Sequence, residues 1–169
     1  MKVLVLNVFF LATVGITCAP ANAGEDPVFR EPFTLKLHID KERFYEEKFG
    51  KVPFVDDGKI YLFKGDELGF DLDIQDNFIR KVIYRPGVKK VDVTLKFTQV
   101  GEPDGTAMMM LRIHNNTKHT LYMDALMTVP GREDIAKTGI LPVGPGLSGI
   151  ESWPHPIVQL LLRNVRIAK

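Results

Sequence analysis

Hydrophobic and polar residues alternate along most of this chain with a period of two, the period of a strand that buries one face and wets the other. Phe33, Leu35, Leu37 and Ile39 alternate with Thr34, Lys36 and His38. Leu68, Phe70, Leu72 and Ile74 alternate with Gly69, Asp71 and Asp73, and the turn residues Gln75, Asp76 and Asn77 predict that the run 78–85 folds back as a hairpin. Val91, Val93, Leu95 and Phe97 alternate with Asp92, Thr94 and Lys96; Ala107, Met109, Leu111 and Ile113 alternate with Met108, Met110, Arg112 and His114. The polar Asn115-Asn116-Thr117-Lys118 predicts a second hairpin, with Leu121, Met123, Ala125, Met127 and Val129 as its returning inward face. Runs at 59–64 and 157–167 bring the expectation to about eight strands.

Two segments depart from this period. Asp40 has the chemistry of a helix N-cap and is followed by Phe44, Tyr45 and Phe49, which predicts a short helix over 41–49. Pro156 could open a helix over 157–167, but the alternation Val165-Arg166-Ile167 favours a closing strand. Many short strands, frequent Gly, Pro, Asn and Asp punctuation and no alternation of strand with helix predict an all-β, two-sheet antiparallel sandwich. An immunoglobulin-like topology is favoured as a resemblance of architecture only, since the Cys, Trp, Cys signature of antibody domains is absent; a lipocalin-type barrel is the alternative.

The first 23 residues change the picture from fold to destination. Lys2, the apolar run 3–14 and the small residues Ala21 and Ala23 form an export signal, cleaved near Ala23 to leave a chain beginning at Gly24. Its apolar stretch is shorter than the roughly 18 residues a membrane-spanning helix needs. Removing 23 of 169 residues leaves 146, the size of one β-sandwich domain over 24–169. The only cysteine, Cys18, lies in the signal, and the residues Gly15-Ile16-Thr17 before it do not fit lipoprotein processing. Cleavage also removes Lys2, so 22 cationic residues fall to 21 against 21 acidic ones. Such a balance argues against nucleic acid and anionic membrane surfaces as partners.

Catalytic motifs are missing: there is no metalloprotease, dinucleotide or phosphate-loop signature, and Gly146-Leu147-Ser148-Gly149-Ile150 has the wrong spacing for a nucleophile elbow. Asp71 and Asp73 with Glu67 could form an acid and base pair or a calcium site. Cross-strand pairing with Arg80, Lys81 or Arg85 accounts for them more simply, and Asp56-Asp57-Gly58 reads as a turn. Met108, Met110 and His114, with His119, Met123 and Met127 after them, raise copper binding by thioether and imidazole. Strand parity divides that group between core and surface, so packing explains it. The sequon Asn115-Asn116-Thr117 reads as a polar turn rather than a glycan acceptor. No catalytic residue, metal site or cofactor is expected.

The segment 142–156 holds four prolines, three glycines, the only tryptophan and a histidine. Its composition predicts an ordered but irregular loop. Trp153 is either a plug at one end of the core or, with Glu151 and His155, an exposed binding platform. The expectation for the whole is an exported, non-enzymatic module binding a protein or an envelope component. Its rivals are a barrel-type small-ligand carrier, a periplasmic copper binder and a hydrolase using Ser148 or the Asp71 and Asp73 pair.

Overall fold

The computed structural model describes residues 27–101 and 107–168. The expected export signal over 1–23, with its expected cleavage point near Ala23 and with Cys18, lies outside the described residues. Every regular element described is a strand: β1 (Phe29–Arg30), β2 (Phe33–His38), β3 (Phe44–Phe49), β4 (Val52–Pro53), β5 (Val55–Asp56), β6 (Lys59–Leu62), β7 (Glu67–Gln75), β8 (Phe78–Arg85), β9 (Val93–Gly101), β10 (Ala107–Asn115), β11 (Leu121–Thr128), β12 (Ala136–Thr138), β13 (Ser148–Trp153) and β14 (Gln159–Ile167). Two antiparallel five-stranded sheets, ordered β13-β10-β9-β7-β8 and β12-β11-β14-β6-β5, pack as a sandwich. Neither closes on itself, which removes the barrel alternative.

Alternation decides what fills the space between the sheets. Leu68, Phe70 and Leu72 of β7, Leu95 and Phe97 of β9, Met109, Leu111 and Ile113 of β10, and Leu160 and Leu162 of β14 are all buried. Each such side chain contributes about 1.5–3 kcal/mol of transfer free energy. Two-residue turns set the register of the hairpins. Asp57 and Gly58 between β5 and β6, and Asp76 and Asn77 between β7 and β8, all have positive φ, as a type I′ turn requires. Gly69 interrupts the polar face of β7 for a steric reason: a Cβ there would collide with the carbonyl oxygen of Gly87.

The expected helix over 41–49 is instead strand β3, paired residue for residue with β2 from Phe33↔Phe49 to His38↔Phe44. Asp40 Oδ1 accepts the backbone N–H groups of Glu42 (3.0 Å) and Arg43 (2.9 Å), much as an N-cap would. The chain then closes a turn through Ile39 N–H to Arg43 O rather than starting a helix. Both outcomes satisfy the same donors locally, and pairing with β2 decides between them. Leu35 and Leu37 enter the core, while Phe33 stacks on Phe49 and meets Phe63 edge-on. Gln99 of β9 fastens this hairpin to the sandwich, accepting from the His38 N–H (2.9 Å) and donating to the His38 carbonyl (2.8 Å).

The expected hairpin at residues 115–118 is a crossover, because β10 and β11 belong to different sheets. Asn115 is fully buried. Its Nδ2 donates to the carbonyls of His119 (2.8 Å), Val143 (2.9 Å) and Gly144 (3.0 Å), and its Oδ1 accepts from the N–H and the hydroxyl of Thr117. A buried amide that supplies hydrogen bonds to several strand-free backbone groups lets the chain leave one sheet for the other without stranding them. The run 157–167 is the closing strand β14, bent where Asn164 takes a positive φ and the register with β11 shifts.

Candidate functional site

The segment 142–156 contains the strand β13, contrary to its irregular reading. β13 pairs with β10 in the register Met109↔Trp153, Leu111↔Glu151 and Ile113↔Gly149. Proline is confined to the flanks, and Gly149 allows close approach to Val143, whose Cγ2 would lie 2.9 Å from an added Cβ. Trp153 points inward and is 7% exposed, edge-on to Phe97, with its Nε1 donating to Thr138 Oγ1 at 2.7 Å. Of the two roles weighed for it, this placement is that of a core plug. Glu151 Oε1 accepts the Leu141 N–H at 2.7 Å, and half-buried His155 has Nδ1 3.2 Å from the Pro156 carbonyl oxygen. All three side chains are thus engaged by their own framework.

Other candidates separate or find partners. His114 Nδ1 lies 2.9 Å from Ser148 Oγ, a contact made by cross-strand register on the outer face of the sheet, with Ser148 exposed to solvent. A hydrolase would need a substrate held over that hydroxyl and an oxyanion donor beside it, and neither His114 nor Ser148 lines either concavity described below. Asp71 pairs with Arg85 at 2.7 Å, Glu67 with Lys96 at 2.8 Å, and Asp73 accepts from Gln75. Asp40 is pulled down to about 2, first by its hydrogen bond from the Arg43 side chain and then by the N–H groups of Glu42 and Arg43; it belongs to a turn, not a cleft. Met108 and Met110 lie on the opposite face of β10 from the buried Met109, while Met123 is buried in β11 of the other sheet, so the methionines do not gather. Among the described residues no three His, Cys, Asp or Glu side chains group as metal ligands.

One concavity lies where sequence reasoning saw only salt-bridge partners. A cleft of ≈ 730 Å³ opens at the margin of the sandwich between β8 and the β5–β6 turn of the facing sheet. Residues 79–86 form one wall without interruption; Val55, Asp56, Asp57 and Val165 lie across from it. Among the described residues β8 stands at the end of its sheet, paired with β7. Its floor is apolar, since Val82 is buried and Tyr84 stacks on Phe54 with centroids 4.1 Å apart. Its strand wall carries Arg80, Lys81 and Arg85, and no acid. A run of cations on a strand predicted to be a hairpin arm was the one signal available beforehand, and it does not by itself say that the arm is an edge. A second concavity of ≈ 690 Å³ lies near the β7–β8 turn, lined in part by Asp73, Asp76, Asp92 and His119.

No family model, no curated protein and no solved structure matches the chain.

Proposed function

We propose that this protein is an exported, non-enzymatic β-sandwich module that works by binding a protein or another component of the cell envelope, and that the cleft beside β8 is where it binds. The observation that carries the reading is the position of the concavity. Phe63, Phe70, Phe97, Met109 and Leu160 fill the space between the sheets, whereas the cleft lies at the open margin along an end strand. A carrier of small apolar ligands encloses them in its interior. A strand-lined margin suits a polypeptide instead. Export rests on the signal at 1–23, and the module's partners are those of the envelope. Trp153 and Glu151 serve this function as framework, holding the opposite margin shut.

Site-specific photocrosslinking tests the reading in cells that export the protein. A p-benzoylphenylalanine at position 83, on β8, should give adducts of discrete mass, and the same group at position 126, on the outer face of the other sheet, should not. Equal labelling at both positions, or none at 83, overturns the assignment. A small molecule retained through purification and seen by native mass spectrometry would favour the carrier.

A further inference from the structure

Independently of the β8 cleft, we propose that the notch between the β7–β8 turn and the β10–β11 crossover binds a short basic peptide with free ends, its ammonium groups held by Asp73 and Asp76 and its terminal carboxylate by Lys118 and His119. The notch exists because neighbouring strands differ in extent. β7 runs to Gln75, but β9 begins at Val93 and pairs with it only from Glu67 to Phe70. Asp92 stands where the next partner would be, and its Oδ2 takes the Leu72 N–H at 2.8 Å. There the concavity of ≈ 690 Å³ opens, with Leu72, Asp73 and Ile74 of β7 in its lining. That size falls within the roughly 300–1,000 Å³ of small-molecule sites.

Charge selects the guest. Asp76 enters the lining from the β7–β8 turn and Asp92 from the lead into β9, while the crossover contributes Lys118 and His119. The carboxylates do not converge on one point: among the described residues no three His, Cys, Asp or Glu side chains group as metal ligands. A bare cation therefore finds no coordination sphere, whereas a molecule long enough to reach both signs meets opposite charge at each end. Asp73, Asp76 and Asp92 outnumber Lys118, which favours a guest with more than one ammonium group. Asp76 already has Arg80 at 3.9 Å, a loose contact between exposed side chains that a guest ammonium displaces at little cost. The backbone adds a third handle. Main-chain groups of a strand alternate in direction, so the N–H and C=O of Ile74 face the same way as the Leu72 N–H, into the notch, where they suit a peptide bond.

Both flanks are fixed before a guest arrives. Asp76 and Asn77 take positive φ in a two-residue turn. On the crossover side, the buried Asn115 amide accepts the Thr117 N–H (3.0 Å) and hydroxyl (2.8 Å) and donates to the His119 carbonyl (2.8 Å), while Thr117 Oγ1 accepts the His119 N–H at 3.2 Å. Lys118 and His119 are thus carried on a loop whose shape a buried network dictates. Contacts organised in this way lose little ordering entropy on binding.

The test uses the dipeptide lysylalanine, its C-terminal amide and its doubly N-acetylated form, each titrated into the exported protein while backbone amides are followed by NMR. Lysylalanine should give saturable shifts centred on residues 72–77, 92 and 117–119, and each blocked form should bind about threefold more weakly or worse. Lys118→Glu should weaken lysylalanine about tenfold and leave the amide nearly unaffected, because only the free carboxylate meets the new charge. Asp76→Asn, which keeps a residue type that tolerates positive φ, should weaken both about threefold. Both positions are exposed, and circular dichroism checks that the fold is kept. Equal binding of the blocked forms, shifts centred on residues 79–85, or indifference to both substitutions overturns the proposal. Equal shifts with calcium chloride alone overturn it too, in favour of a simple cation site. Crosslinking at position 83 reports on the β8 cleft, so the two readings stand or fall separately.

Discussion

Trp153 and Thr138 tie the two sheets together at one margin: the indole Nε1 of β13 donates to the Oγ1 of β12 at 2.7 Å. β13 ends one sheet and β12 ends the other, so the bond spans a gap that no backbone ladder crosses. The bond joins the sheets at this margin, while the concavity of ≈ 730 Å³ lies along β8, the strand at the other end of the β13 sheet.

Truncation at this bridge should be costly. Trp153→Ala removes a ring packed edge-on to Phe97, and large-to-small changes of this kind cost about 3–5 kcal/mol. Thr138→Val leaves the indole N–H without its acceptor, at a cost of about 1–2 kcal/mol. Urea denaturation measures both. A Trp153→Ala loss below about 1 kcal/mol, the scale of surface changes, would falsify the plug.

Asn115 should tolerate no replacement, although its sequence context is that of an ordinary turn. Asn115→Ala removes the amide that three backbone carbonyls share, a loss of about 3 kcal/mol when buried acceptors are left unmade. Asn116→Ala, which gives up one bond to the Val91 carbonyl, should cost about 1 kcal/mol. Similar midpoints for the two variants would refute the distinction between them.

Arg30 anchors the short β1 to the β6–β7 connection. Its Nη1 forms a bidentate pair with Asp66 at 2.7 and 2.9 Å, its Nη2 donates to the Tyr61 carbonyl, and its guanidinium lies 4.6 Å from the centre of the Phe54 ring and 4.9 Å from that of Phe63. Only 10% and 14% of the two side chains remain exposed. Arg30→Met should destabilise by about 3 kcal/mol, because Asp66 is left as a largely buried charge. The double variant R30M/D66N should recover part of that loss, and strictly additive losses in the cycle would contradict a coupled pair.

Asp40 makes the β2–β3 turn sensitive to strong acid. Its folded value of about 2 lies below the ordinary 3.8, so between the two the unfolded chain binds the proton more readily. The stabilising contribution is complete above 3.8 and disappears as pH falls through about 2. A carboxyl carbon-13 titration should place Asp40 near the lower value, and Arg43→Gln should move it upward. Titration of Asp40 close to 3.8 in the unsubstituted protein would remove the Arg43 interaction from this account.

The period-two pattern determined the fold class and the faces of the long strands, because one-sided burial of a strand imposes that pattern wherever the strand lies. Met109, Leu111 and Ile113 point inward and Met108 and Met110 outward in whichever sheet β10 belongs to. The Asp57-Gly58 and Asp76-Asn77 turns were equally legible, since positive φ is a local demand with a local residue preference. Partnership was not local. Asp40 satisfies the same donors at the head of a helix or in a hairpin turn, and only β2, lying alongside, made 44–49 a strand. Asn115 has the composition of a surface turn, and only the loop carrying Val143 and Gly144, distant in sequence, turned it into a buried crossover amide. The strand 148–153 was hidden because prolines and glycines mark the ends of a segment without saying what pairs within it, and Trp153 met its acceptor in a strand of the other sheet. The cleft belongs wholly to tertiary structure: Arg80 and Lys81 are in the sequence, but that β8 is an end strand follows from which strands its sheet recruits, and hydrogen-bonded order is a property of the assembled chain.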